Sequence, residues 1–440
     1  MKPQRDRSNK MYVKKGFAFA LTVFLSTGGT LTLARANGNV ANDRLTAAMV
    51  RDWSQLALDM IAASFGFLSP PGVARALSIL TTSEWNAMVP YTADATPVAV
   101  ARFPETGTAA DNVQRVRRAR SEDTRKAISV AAFLALAEIF YDLDSNCAAT
   151  RENAWPLMET DGVDMLRRYV DVVPSGLTEI PDVVNFLKSS TDTVIERAVE
   201  STMTFLTARR ADGMNARGDL SDDGVCYSDY TLYQSVNDPQ ETVGRTNCMD
   251  EIRHLDKWQQ LYVPTPGGGA QLRPWLSPYM DRVIPFSSET PLLWTNLPGP
   301  PREGQDLFME QHSEVLDIYS SLSDRQKIIA EFWADGPAST LPPGHWHEIA
   351  IEVAEERELG GEDMLKLLFL QAQAVFDAGI ASWQAKRYYD SARPVTVLQC
   401  LYADQTVTTW LGPYQGIGER SGSEWQPVRI QNGDLVATLR

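Results

Sequence analysis

The chain has 440 residues and an apolar fraction of 44%, ordinary for a globular protein and enough for one large core or two domains. Its formal charge of −15 argues against nucleic acid and anionic membrane surfaces as partners. Basic residues crowd the segment before residue 37, so the remainder is more acidic still, and any anion site in it must be a local island of positive charge.

Residues 1–36 read as a signal peptide. A basic stretch ends in Lys14 and Lys15, the apolar run "GFAFALTVFLSTGGTLTL" follows, and Ala34-Arg35-Ala36 gives a small-x-small cleavage pattern. Thr, Ser and the Gly28-Gly29 pair weaken that run as a membrane span, and no other segment reads as long and apolar enough to cross one. The expectation is a periplasmic or extracellular protein cleaved after Ala36.

Residues 37–210 carry helical periodicity. Behind Asn42 or Asp43 as cap, Leu45, Met49, Trp53, Leu56 and Met60 recur at three- and four-residue steps. "SPPGVARALSILTTSEWNAMV" restarts a helix after Pro70-Pro71. "SEDTRKAISVAAFLALAEIFYDL" is apolar enough in its middle to be enclosed by other helices. "STDTVIERAVESTMTFLTARR" stops at Gly213. Four helices of this length predict a bundle. Trp53, Trp85 and Trp333 sit on helical stretches and read as core anchors. The run Arg115, Arg117, Arg118 and Arg120 reads as neutralising nearby carboxylates.

Residues 211–305 change in texture, being dense in Asp, Gly, Asn and Pro. They read as a long irregular excursion with a short strand pair around "WQQLYVP". The acidic spacing does not match the EF-hand order, so a solvated loop is expected. Of the four cysteines, Cys147, Cys226, Cys248 and Cys400, none has C-x-x-C spacing. Cys226 and Cys248 lie in this excursion and are the expected bridge, leaving two buried thiols.

Residues 306–440 return to helical periodicity in "EVLDIYSSLSDRQKIIAEFWADG", "HWHEIAIEVAEERE" and "GEDMLKLLFLQAQAVFDAGIASWQAKRYYD". His345 and His347 are two apart, which on a helix sets their rings about 200° apart and suits shared metal ligation poorly. Ile351 stands where an H-E-x-x-H pattern needs its second histidine, so no metal site is expected. His345 reads as structural, and His254 and His312 as ordinary surface or packed residues. "GERSGSEW" also fails as a nucleophile elbow, with Glu419 and Ser423 in place of the two glycines.

The stretch "AKRYYDSARPVTV" then places Lys386 near the end of one helix and Arg393 directly before Pro394, which suits the first turn of the next. On spacing alone the plainer reading pairs Arg393 with Asp390 and leaves Lys386 solvated. The alternative is that both cations meet one tetrahedral oxyanion at a helix N-terminus, where backbone N–H groups already favour negative charge.

Lys, six residues, then Arg-Pro resembles the first motif of the superfamily joining vanadium-dependent haloperoxidases to the type 2 phosphatidic acid phosphatases. "EFWADGPASTLPPGHW" (331–346), "RRADGMNARGDLSDDGVCYSDY" and the "SEWNAMVPYTAD" region look like its bacterial haloperoxidase-like branch, and the likeness extends over essentially the whole chain after the signal peptide. The resemblance implies an all-α fold of packed helical bundles with a long irregular insertion. It also implies that Lys386 and Arg393 contact the oxygens of bound vanadate, or of phosphate in the phosphatases.

The family's Ser-Gly-His motif and its final Arg and His motif would follow Arg-Pro. No histidine occurs after His347, and Ser423 follows Ser421-Gly422 where a histidine is needed, so no catalytic residue is identified. The tail "WQPVRIQNGDLVATLR" looks like the region just upstream of the second motif, and the expectation is a chain truncated there. Three functions follow: a haloperoxidase-like protein using halide and peroxide, an acid phosphatase, or an inactive oxyanion-binding paralogue.

Overall fold

The computed structural model describes residues 40–64, 67–92, 95–98, 121–141, 154–264, 269–286, 298–336 and 339–427. The expected signal peptide, the arginine run at 115–120, Cys147 and the tail from 428 lie outside the described residues. Helices α1 (Val40–Ala63), α2 (Pro70–Met88), α3 (Ser121–Leu136), α4 (Val163–Tyr169), α5 (Ile180–Lys188) and α6 (Thr193–Arg210) come first. The hairpin β1 (Leu261–Pro264) and β2 (Ala270–Arg273) follows. Then come α7 (Asp306–Ser320), α8 (Asp324–Phe332), α9 (Leu341–Glu356), α10 (Gly361–Tyr389) and α11 (Pro394–Leu401). A second antiparallel hairpin, β3 (Thr406–Trp410) and β4 (Ile417–Ser421), closes the described chain. The fold is all-α in its framework, as the periodicity and the resemblance imply.

Local signals explain the helix starts. Ser69 accepts from the Gly72 N–H and two prolines open α2, while Asp192 accepts from the N–H groups of Val194 and Ile195 at the start of α6. Asp43 does not cap α1, which begins at Val40; its carboxylate instead accepts from Gly361 N at 2.9 Å and caps α10 from across the bundle. Nearly all of α2 and the second half of α3 are buried, because both helices are walled in by neighbours.

The main core joins both ends of the sequence. Met49, Trp53, Leu77, Phe133 and Leu206 pack in one cluster with Ile351, Leu365, Leu368 and Phe369. Segments 37–210 and 306–440 therefore share a core, with α10 lying chiefly along α2. A smaller cluster gathers Tyr319, Leu398, Val407 and Trp425 around α11.

Four expectations need correction. α10 has 29 residues and is apolar enough by length and composition to cross a membrane, so the amino-terminal run is not alone in this. Half of its most apolar window is buried against the bundle, and Gln373 and Asp377 sit among the buried residues, which is the pattern of a core helix. Trp333 is no core anchor: it is 42% exposed, whereas Trp53 and Trp85 are buried.

The excursion is not a solvated loop. Asn237, Gln240, Thr246, Glu251 and Gln259 are buried and hydrogen-bonded to one another or to backbone, giving that segment a polar core. Finally, Cys248 is bonded to Cys400, 152 residues away, and not to Cys226. Cys226 is itself disulfide-bonded, and there are no free cysteines among the described residues. The tertiary fold carries the excursion onto α11, a proximity that spacing along the chain does not reveal.

Candidate oxyanion site at the α10–α11 junction

The junction is four residues long, Asp390 to Arg393. α10 ends at Tyr389, Asp390 takes a left-handed conformation (φ 50°) that turns the chain, and Arg393 is the N-cap of α11 with Pro394 in its first turn. The two predicted cations stand on either side. Lys386 occupies the last turn of α10, with its Nζ 4.0 Å from the Trp383 ring centroid, a cation–π contact. Trp383 is in turn fixed by an Nε1–H bond to the Leu276 carbonyl at 2.9 Å. Arg393 is exposed and has an extended backbone, as an N-cap requires.

The excursion supplies what spacing could not. Residues 256–258 run beside the junction: Ala392 N donates to the Asp256 carbonyl, Trp258 N donates to the Asp390 carbonyl, and Lys257 and Ser391 form a β-bridge. Lys257 Nζ and Arg302 both donate to the Tyr389 carbonyl, at 3.0 and 3.3 Å, and Arg302 also pairs with Asp256 at 3.2 Å. Arg387 donates to Thr231 Oγ1 at 2.9 Å and lies over the Tyr233 ring.

These contacts matter electrostatically. The C-terminus of a 29-residue helix presents partial negative charge, which would repel an anion; Lys257 and Arg302 cover one of its last carbonyls. The N-terminus of α11 presents the opposite sign. Asp390 is the main local carboxylate. It accepts the Tyr233 O–H at 2.7 Å, and burial raises its pKa against the pull of that bond, Lys257, Arg387 and Arg302. Burial and the Asp390 bond also raise the Tyr233 phenol. Around an acidic protein's α10–α11 turn there are thus five cationic side chains, of which Lys386 and Arg393 were legible as neighbours in sequence.

The histidines go elsewhere. His347 is fully buried, bonded through Nδ1 to Gln371 at 2.8 Å and through Nε2 to Ser54 at 3.3 Å, and burial pushes its pKa down to about 4. His345 points away from it and pairs with Asp335 at 2.9 Å, a bond that raises its pKa. The rings of Phe332, Trp333 and Trp346 gather around that pair. Among the described residues no cluster of His, Cys, Asp and Glu could hold a metal cation. The donor set at the junction suits an oxyanion's oxygens.

Residues 366–434, which include both predicted cations, match the family model of the VCPO second helical-bundle domain. No curated protein sequence matches the chain. Among solved structures, the apo form of a bacterial vanadium-dependent chloroperoxidase superposes with a TM-score of 0.58 at 18% identity, covering 82% of this chain and 72% of that one. Its holo form gives the same score and identity over 70% of its length. A bacterial vanadium-dependent iodoperoxidase gives a TM-score of 0.50 at 15% identity, covering 88% and 76%. The segment bearing Lys386 and Arg393 thus resembles the VCPO second helical-bundle domain in sequence, and the chain shares the fold of these bacterial vanadium-dependent peroxidases.

Proposed function

We propose that the protein is an exported, haloperoxidase-like oxyanion binder whose α10–α11 junction holds vanadate. The observation that carries this reading is the position of Lys386 and Arg393 within the matched domain, at a turn where the flanking helix carbonyl is already covered by Lys257 and Arg302. Export is supported by the Cys248–Cys400 disulfide, since such bonds persist in oxidising compartments.

The donor chemistry fits the group. Arg393, with its guanidinium fork, and Lys386, a compact charge steadied by the Trp383 ring, would hold the vanadate oxygens. When bound, vanadate activates peroxide for halide oxidation. The chain's own contribution is to hold the anion and offset charge on its oxygens.

Phosphate has the same shape and charge class, so a phosphatase would use the same two side chains. The discriminating experiment supplies orthovanadate, hydrogen peroxide and bromide in one arm and an aryl phosphate in the other. Vanadate-dependent bromide oxidation that Arg393→Ala removes supports the proposal. Phosphate release without bromide oxidation assigns the junction to phosphoryl chemistry, and inertness in both arms with vanadate still bound leaves oxyanion binding as the function.

A further inference from the structure

α8 turns its apolar face to solvent. Its sequence "DRQKIIAEFW" carries Ile328, Ile329, Phe332 and Trp333 at one- and four-residue steps, a stripe that on a helix ordinarily seeks a core. A capping box fixes the helix start, Ser323 and Gln326 each accepting from the other's backbone N–H. The face turned inward is the small one: Ala330 is buried with the cluster around Tyr319, Leu398 and Trp425, and Lys327 lies over the Trp410 ring. The apolar stripe stays outside, with Ile328 65%, Ile329 45% and Phe332 46% exposed. α9 adds to it. Its buried side carries Gly344, His347 and Ile351, and Trp346 lies away from that side, 41% exposed.

These side chains form one patch. Ile328 precedes Phe332, and Ile329 precedes Trp333, by one helical turn. The Phe332 and Trp333 ring centroids are 5.0 Å apart, and those of Trp333 and Trp346 5.5 Å. His345, held by Asp335, packs against both Phe332 and Trp333 and orders the rings in advance of any partner. Five residues exposed to this extent leave on the order of 500 Å² of contiguous apolar surface, at the upper end for a monomer. With a polar rim added, that is within reach of the roughly 800 Å² that each partner of a stable complex buries.

The rim selects the partner. Arg325 stands at the amino end of α8 and Glu331 at its carboxyl end, both exposed and neither in an ion pair among the described residues. Two copies of α8 laid antiparallel bring the basic end of each to the acidic end of the other, and a two-fold axis across the helix produces that arrangement. Laid parallel, like charges would meet. We propose that the α8–α9 face is the contact surface of a symmetric homodimer, with α8 of each copy packed antiparallel on the other.

Sedimentation velocity of the full chain tests this. The wild type is expected to be dimeric at about 10 µM, and Ile328→Lys to weaken the dimer about tenfold or more with the circular dichroism unchanged. Arg325→Glu alone is expected to weaken it about tenfold, and adding Glu331→Arg to restore it, because the reversed charges again meet their opposites. A different partner protein would not give that rescue. A wild type monomeric at about 100 µM overturns the proposal, whether residues after 427 or another protein covers the face. A dimer that Ile328→Lys leaves intact, or a double variant no tighter than Arg325→Glu, overturns it equally. If Ile328→Lys does not fold, the charge exchange decides.

Discussion

His347 and Glu84 are two buried titratable groups with opposite demands on pH. His347 is held neutral: its pKa falls from an ordinary 6.5 to about 4 on burial. Between those values the unfolded chain binds the proton and the folded chain does not, so stability is full above about pH 6.5 and falls as pH drops toward 4. The slope from this one group reaches about 1.4 kcal/mol per pH unit. Urea titrations at pH 7 and pH 5 should show that loss, and His347→Gln should reduce it.

Glu84, by contrast, is fully buried in α2, neither carboxylate oxygen has a hydrogen-bond partner among the described residues, and burial raises its pKa well above the usual carboxylate range. Its folded state keeps the proton longer than the unfolded state, so it costs stability as pH rises above the unfolded value. Glu84→Met is therefore expected to stabilise the protein at pH 7 by about 1–3 kcal/mol, read from the urea midpoint at unchanged slope. Neither role was legible in sequence, since burial is set by which helices enclose α2 and α9.

At the scale of elements, the long excursion behaves as a clamp. Gln399 of α11 bonds the carbonyls of Gly244 and Trp425 and accepts from Thr246 N, Thr396 donates to Gln259, and the Cys248–Cys400 disulfide ties the same two segments. A polar segment of this kind cannot hold itself in place by apolar burial, so the crosslink carries an unusual share of its ordering. Cys248→Ser with Cys400→Ser is expected to cost about 2–5 kcal/mol and to open residues 240–260 to proteolysis before the bundle unfolds. A digest that starts elsewhere would contradict the clamp.

The legible parts of this region were those written within one or two turns of chain. Pro394 announced the start of α11, and "WQQLYVP" announced β1. Lys257 and Arg302, which cover the end of α10, were silent because only the folded excursion carries them to Tyr389. The strand β3 was missed although "TVTTW" alternates exposed and buried residues as a strand should. Its β-branched residues were the available signal.

Over the whole molecule, the shared core of α1–α6 with α9 and α10 has a thermodynamic consequence. The bundle read from residues 37–210 is completed by helices from the other end of the chain, with Leu365 and Leu368 packed among Trp53 and Phe133. Residues Ala41–Arg440 accordingly form one compact unit, and far-ultraviolet dichroism and tryptophan fluorescence are expected to report the same denaturant midpoint. Separate midpoints would mean that the two halves hold together independently.

The net charge of −15 bears on the same scale: an acidic molecule repels small anions unless local cations overcome the average field. The most direct test of that local inversion is a calorimetric titration of orthovanadate into the wild-type protein and into Arg393→Ala, with Lys386→Met as a second variant. Saturable binding in the wild type, weakened about tenfold or more by either substitution, is the predicted result. Equal affinity in all three proteins would contradict it.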